Sequence, residues 1–438
     1  MGDAFAELWH QLSRDGADAQ IAARIEHFGQ TDGDPIAIGL LRAELLRRQG
    51  RLPQAIEQLA AVEPAQLSRA RRDHPQLVAL HQHTWGLLQR ENGHFTEAAR
   101  AFIEAFSLNP GFLQSLHALQ FTRLTPADLA ALREPFRNAV QGCNPAPPLA
   151  LQLLADWQLQ LGELTHSCEL SYRAAQRSVS TAQRAALDRL SPPSLPEALI
   201  IGAPKCGTTS LAGWLARHPQ IYVHPRKELH FFDNRWQWGA DWYRCQFPRF
   251  RQDAGRVVRL EATPNYLQLG QVPDRVHRLM PEARLIVLLR DPLQRALSWC
   301  QHIIRQEGVT ETPESILMQE LQELEQNSAH PAVTEGAWHR TNALFGSFYS
   351  TQLQRWQQRF REQRILILQM ESTIRAPEQA WQRISAFLEL DPDPGATGPP
   401  GVFPSLNTAP ASLPRLEKSI QGRLSELLQT ETKFWSSL

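Results

Sequence analysis

The stretch IIGAPKCGTTSLAGWLARHP, residues Ile200–Pro219, decides how the second half of this chain is read. It has the form of an apolar strand, a turn of small residues and a helix. Gly202 permits the turn, and Gly207 lets backbone N–H groups face inward. Thr208, Thr209 and Ser210 add hydroxyl donors where the helix begins, so the loop suits an anion. A nucleoside-triphosphate loop requires Gly-x-x-x-x-Gly-Lys-Ser/Thr. Gly202 and Gly207 keep that spacing, but Thr occupies position 208 and Lys205 lies inside the loop. No strand ending in aspartate is placed to help hold magnesium, so an ordinary ATPase is disfavoured.

Further short apolar runs follow: RVVRLEATP, ARLIVLLRDP and RILILQME. Runs that are apolar throughout suit parallel strands covered on both faces. Helical patterns separate them, so the expected fold is an α/β parallel sheet of P-loop type flanked by helices. Ligands of such sheets lie at the carboxyl ends of the strands. A second such end is RLIVLLRDPLQRALSWCQH, Arg284–His302, where Arg290 follows the strand. Its planar fork suits phosphate. Ser298 stands about two helical turns further on. Two anion sites on neighbouring strand ends suit a nucleotide phosphorylated at both ends of its ribose.

Residues 1–190 read differently, as Ala-, Leu-, Gln- and Arg-rich segments at helical spacing. In Thr84–Pro110, the residues Gly93, Phe95, Ala98, Phe102, Ala105 and Pro110 match the pattern of a tetratricopeptide repeat. Arg47–Pro64 and Leu159–Ala175 are weaker copies. The alternative is a generic helical bundle. Either way the expectation is an all-α domain offering a binding face. The stretch SPPSLPEA cannot continue a helix, so residues 191–196 are expected to be a linker and residues 197–438 the second domain.

The 438 residues suit two or three domains. Lys+Arg and Asp+Glu each total 45, so no global charge draws the chain to nucleic acid or an anionic membrane. The five cysteines show no C-x-x-C spacing, which argues against a zinc site or disulfide framework. With no signal-peptide pattern at the start and no apolar run long enough to span a membrane, a cytoplasmic protein is expected.

PKCGTTSL resembles the 5′-phosphosulfate loop of the sulfotransferases, and RDPLQRALSW their 3′-phosphate motif. KELHFFDNRWQWGADWYRCQFP, Lys227–Pro248, and LEATPNYL, Leu260–Leu267, resemble the heparan-sulfate-type members. The resemblance covers most of residues 197–390, in family order. It implies 3′-phosphoadenosine 5′-phosphosulfate as co-substrate, the 3′,5′-bisphosphate as product, and no metal. It also implies that Cys206, Gly207, Thr208, Thr209 and Ser210 hold the 5′-phosphate, and Arg290 and Ser298 the 3′-phosphate. Lys205 would stabilise the leaving phosphate, and Glu228 would take the acceptor's proton. In an extended segment His230 would share a face with Glu228 and Lys227 would point away, yet the resemblance implies that the lysine at this place can still reach the active site and contact substrate. His230 could tune Glu228, meet the acceptor, or serve structure. Glu261 is either a buried structural carboxylate or a substrate contact. Trp236 and Trp238 either stack a sugar or belong to the core, and Trp242 is assigned to the core. Many relatives carry a lysine where this chain has Ala262, so an acceptor as anionic as heparan is less favoured. A polysaccharide leads the acceptor classes, ahead of a glycolipid, a small alcohol and a peptide tyrosine. The helical half would recruit the acceptor or a protein partner. A P-loop kinase and a degenerate scaffold are the competing readings; the Thr at 208 opposes the first and the retained Lys205, Glu228, Arg290 and Ser298 oppose the second.

Overall fold

The computed structural model describes residues 3–15, 19–31, 34–251, 253, 255–307, 311–326, 342–390, 401–404 and 416–438. Two compact units divide at Arg177/Ser178. No described helix is long and apolar enough to cross a membrane.

The first unit is all-helical, with eleven described helices from Asp3–Asp15 to Leu164–Arg177. Three helical hairpins recur: Pro35–Arg48 with Leu52–Ala60, Pro75–Glu91 with Phe95–Leu108, and Pro148–Gln160 with Leu164–Arg177. One device turns each of them. Gly50, Gly93 and Gly162 adopt left-handed φ values of +74°, +85° and +85°. The next residue then donates its N–H five positions back, Arg51 to Leu46 (2.9 Å), His94 to Gln89 (2.8 Å) and Glu163 to Gln158 (2.8 Å). This is the Schellman closure that satisfies a helix's last carbonyls. Small residues set the approach of the paired helices. Ala98 and Ala105 are wholly buried, and a Cβ on Gly86 would lie 2.5 Å from the Phe102 ring.

The described residues of the second unit hold seven strands: β1 (Leu187–Asp188), β2 (Ala198–Gly202), β3 (Ile221–Val223), β4 (Arg249–Phe250), β5 (Val258–Ala262), β6 (Arg284–Leu289) and β7 (Ile365–Gln369). Five form a parallel sheet in the order β3-β5-β2-β6-β7. Helix Thr208–Leu215 lays Leu211, Trp214 and Leu215 on one face of it, beside Trp381 and Ile384 of helix Pro377–Leu388. β2 is buried at all five positions, as its unbroken apolar run predicts. β1 pairs antiparallel with β4, Leu187 opposite Phe250 and Asp188 opposite Arg249. Residues 178–190 therefore lie in the second unit, although their composition groups them with the helices. Strands of two or three residues such as β1, β3 and β4 are too short to show a period in the sequence.

A Cβ on Gly93 would meet nothing within 4 Å, so only backbone conformation opposes a substitution there. Gly93→Ala should lower stability by about 1–2 kcal/mol, and Gly93→Asn by less. Urea titrations showing no ordering of wild type, Asn and Ala would refute this account of the turn.

Candidate active site

β2 and β6 are adjacent and parallel, so the loops that leave them are neighbours. The N–H of Ala203 bonds the carbonyl of Leu288 across this gap (2.9 Å). Beyond β2, Lys205 and Gly207 both adopt left-handed φ, +69° and +84°, which curls the loop toward the start of helix Thr208–Leu215. The first N–H groups of a helix have no intrahelical partner and face what lies before them. A Cβ on Gly202 would lie 2.4 Å from Leu267, so glycine is required there by close packing. Thr208 and Ser210 are buried, while Lys205 and Thr209 are partly exposed in the loop. Cys206 turns its thiol inward, 3.6 Å from the Tyr349 hydroxyl. Burial raises that thiol to about 11, so Cys206 offers only its backbone.

Beyond β6, Arg290 is partly exposed at the strand end and Ser298 is buried on helix Pro292–Glu307. Tyr349 donates its hydroxyl to the Arg290 carbonyl (2.9 Å), and Asp291 caps the helix by accepting the Gln294 N–H (2.8 Å). Arg295 ties the two loops together. Its guanidinium is fully buried, donating to the carbonyls of Pro204 (3.1 Å), Ala343 (3.0 Å) and Asn342.

Facing the phosphate-type loop is the segment after β3. Lys227 Nζ lies 3.1 Å from Glu228 Oε1 and 3.5 Å from Thr208 Oγ1. His230 Nε2 lies 3.3 Å from Glu228 Oε2, and its Nδ1 lies 2.7 Å from Asp233 Oδ2. The imidazolium thus bridges two carboxylates. Burial pulls its pKa down, but hydrogen bonds to Asp233 and Glu228 outweigh that and hold it at about 9. Burial likewise raises Glu228, and the bonds from His230 and Lys227 carry it below the ordinary carboxylate value. The segment is not extended: it is irregular, and His230 sits at φ +53°. Lys227 and His230 consequently both reach Glu228, and Lys227 is brought into the site rather than turned from it.

Residues 195–398 match the family model described as the sulfotransferase domain. That stretch is a little under half of the chain. It is similar to a bifunctional heparan sulfate N-deacetylase/N-sulfotransferase 1 of Caenorhabditis elegans, 29% identical over 47% of this chain and 23% of that protein. It is also similar to the human heparan sulfate glucosamine 3-O-sulfotransferase 5, 28% identical over 45% of this chain and 54% of that protein. The membrane-associated sulfotransferase kil1 of Dictyostelium discoideum is 38% identical over 24% of this chain and 22% of its own length. The chain spans between 22% and 54% of the lengths of these relatives.

The second unit places the remaining candidates in the wall of the site. Glu261, at the end of β5, is fully buried and accepts hydroxyls from Tyr243 (2.6 Å), Thr263 (2.5 Å) and Tyr266 (2.9 Å). Its oxygens face the interior of the wall. Burial, partly offset by those bonds, raises its pKa. Trp236 is partly exposed, contacts Phe231 and Phe232, and carries Arg275 over its ring at 5.7 Å. Trp238 is also partly exposed, with Arg235 at 5.0 Å and Trp242 edge-on at 4.7 Å. Trp242 itself is buried. Sequence reasoning missed Asp233, Arg295 and Tyr349. Asp233 stands three residues after His230, the spacing of neighbours on one helical turn, which could have exposed it. Nothing local marks the other two, whose partners lie far along the chain.

His230 holds its proton more tightly folded than at its ordinary value of about 6.5. Its stabilisation is therefore complete below about pH 6.5 and is lost as pH rises through about 9. Melting temperatures should fall over that window in the wild type and fall less in His230→Ala. Parallel curves would remove the bridged imidazolium.

Proposed function

We propose that this protein transfers a sulfuryl group from 3′-phosphoadenosine 5′-phosphosulfate to a hydroxyl or amine, with a glycan as the leading acceptor class. The observation that carries the reading is the Lys227–Glu228–His230–Asp233 cluster set against the Thr208 side of the loop. The loop fits the donor's 5′ end: it combines two left-handed positions, a glycine that tolerates no Cβ and a row of hydroxyls. The backbone from Cys206 to Gly207, with Thr208, Thr209 and Ser210, would hold the 5′-phosphate, and Arg290 with Ser298 the 3′-phosphate. The donor supplies an activated sulfuryl group on a phosphate leaving group.

The chain's own residues do the rest. Lys205 offers a cation inside the loop, where charge grows on the leaving oxygen. Glu228 is ionised at neutral pH and is the base, and its two oxygens are held by Lys227 and His230. His230 keeps Glu228 oriented because Asp233 fixes its other nitrogen. The named substrates of relatives 28–29% identical to this chain support a glycan acceptor, O- or N-linked to the sulfuryl group in the product. We further propose that the hairpins of the first unit form a tetratricopeptide-like scaffold that recruits the acceptor or a protein partner, and that the enzyme acts in the cytoplasm.

Titration calorimetry should show the 3′,5′-bisphosphate binding without metal and far more tightly than ATP with magnesium. The reverse preference would replace the proposal with a kinase. Glu228→Gln should reduce turnover by on the order of a hundredfold or more while leaving bisphosphate affinity nearly intact. Lys205→Ala should weaken both. Unchanged turnover in Glu228→Gln would take the base role from that residue.

A further inference from the structure

We infer that Glu261 is a positioning residue for the Glu228–His230–Asp233 cluster, acting through the hydroxyls of Thr263 and Tyr266. This rests on the sulfotransferase reading above and adds to it a carboxylate that touches none of the three residues in that cluster.

The direction of every hydrogen bond follows from one fact: a backbone N–H can only donate. Tyr266 Oη accepts the N–H of Phe231 (2.9 Å) and of Phe232 (3.3 Å). Thr263 Oγ1 accepts the N–H of His230 (3.4 Å). Each hydroxyl must then direct its single proton elsewhere, and both reach Glu261 Oε1, at 2.9 Å from Tyr266 and 2.5 Å from Thr263. Tyr243 completes the set on Oε2 at 2.6 Å. Glu261 is thus an acceptor for three donors, and this leaves the lone pairs of two hydroxyls turned toward three consecutive amides. An amide side chain at 261 would present an NH2 group to one side and reverse at least one hydroxyl.

Those three amides belong to the turn that carries His230. A non-glycine residue at φ +53° is strained and persists only where its surroundings hold it. From that turn the imidazole reaches Glu228 with one nitrogen and Asp233 with the other. Arg275 supports the far side, donating to the carbonyls of Phe232 (2.7 Å) and Asp233 (3.0 Å). The charged groups around the cluster are Lys227, Glu228 and Asp233 on its own segment, with Glu261 and Arg275 on the elements behind it.

The test uses the full chain and three variants, Glu261→Gln, Thr263→Val and Tyr266→Phe, with Thr263→Ser as the conservative control. Turnover is read with bisphosphate affinity, and the titration midpoint of His230 by NMR of labelled histidine, assigned by its loss in His230→Gln. We expect kcat to fall by about 10- to 100-fold with KM and bisphosphate affinity little changed, as for a modest misplacement of a reacting group. The His230 midpoint should drop in all three, and Thr263→Ser should restore both readouts. Wild-type turnover and midpoint in all three variants would overturn the inference. So would a Thr263→Ser variant that behaves like Thr263→Val, or bisphosphate binding lost together with turnover, which would mark a purely structural role. Midpoints that shift as expected in a protein that transfers no sulfuryl group would uphold the positioning network and remove the enzymatic reading instead.

Discussion

Parallel pairing of β2 with β6 is the constraint on which the rest depends. It brings the turn after Gly202 beside the turn after Leu289, although more than eighty residues separate them in sequence. Parallel neighbours present the same end to the same side of the sheet, so both turns open on one edge. Arg295 then fixes their spacing by donating into the Pro204 carbonyl from the helix that follows β6. Burying a guanidinium is costly unless its donors are matched. Here carbonyls of Pro204, Asn342 and Ala343 accept from Nε and Nη1, while Nη2 is buried with no hydrogen-bond partner among the described residues, and a Cβ on Gly346 would lie 2.2 Å from the guanidinium. The turn from Asn342 is clamped from its other side by Glu320, whose carboxylate accepts the N–H groups of Ala343, Leu344 and Phe345 at 2.9–3.0 Å.

The chemistry-bearing segment is held by a different kind of force. The Lys227–Glu228–His230–Asp233 cluster alternates in charge, so each member stabilises the ionised form of the next. Such a chain is only as good as its geometry, and the geometry is irregular. His230 stands at the N-cap of the four-residue helix Phe231–Asn234, too short a helix to fix its place alone. Neutral hydroxyls on the wall behind it do so instead, and they are themselves oriented by a buried carboxylate. The site thus combines a sheet edge, built by parallel strand ends, with a small polar network around His230.

The sequence made much of this legible. Three of the five sheet strands, β2, β6 and β7, appear as nearly continuous apolar runs, as parallel strands between helices do, whereas β5 interleaves Arg259 and Glu261 with its apolar residues. The helical hairpins announce themselves through Gly50, Gly93 and Gly162, since a left-handed closure is where glycine is favoured. Lys205, Glu228 and Arg290 stand out because their residue types sit where a strand ends or a known motif runs. The orientation of Lys227 was not legible, because an extended segment and an irregular one have the same sequence. Nor was the division at Ser178, because a pair of two-residue strands leaves no periodic trace.

What the sequence alone determined is the local grammar: helical hairpins first, then alternating strands and helices with glycine- and hydroxyl-rich turns at strand ends. Those features depend on neighbours within a few residues, whose spacing and side-chain chemistry act locally. Only the tertiary structure decided that Glu261 serves the cluster from inside the wall, that Arg295 joins two loops, and that His230 bridges Glu228 to Asp233. Those are choices of hydrogen-bond partner across folded distance, and a buried polar group takes whichever complement the fold delivers to it.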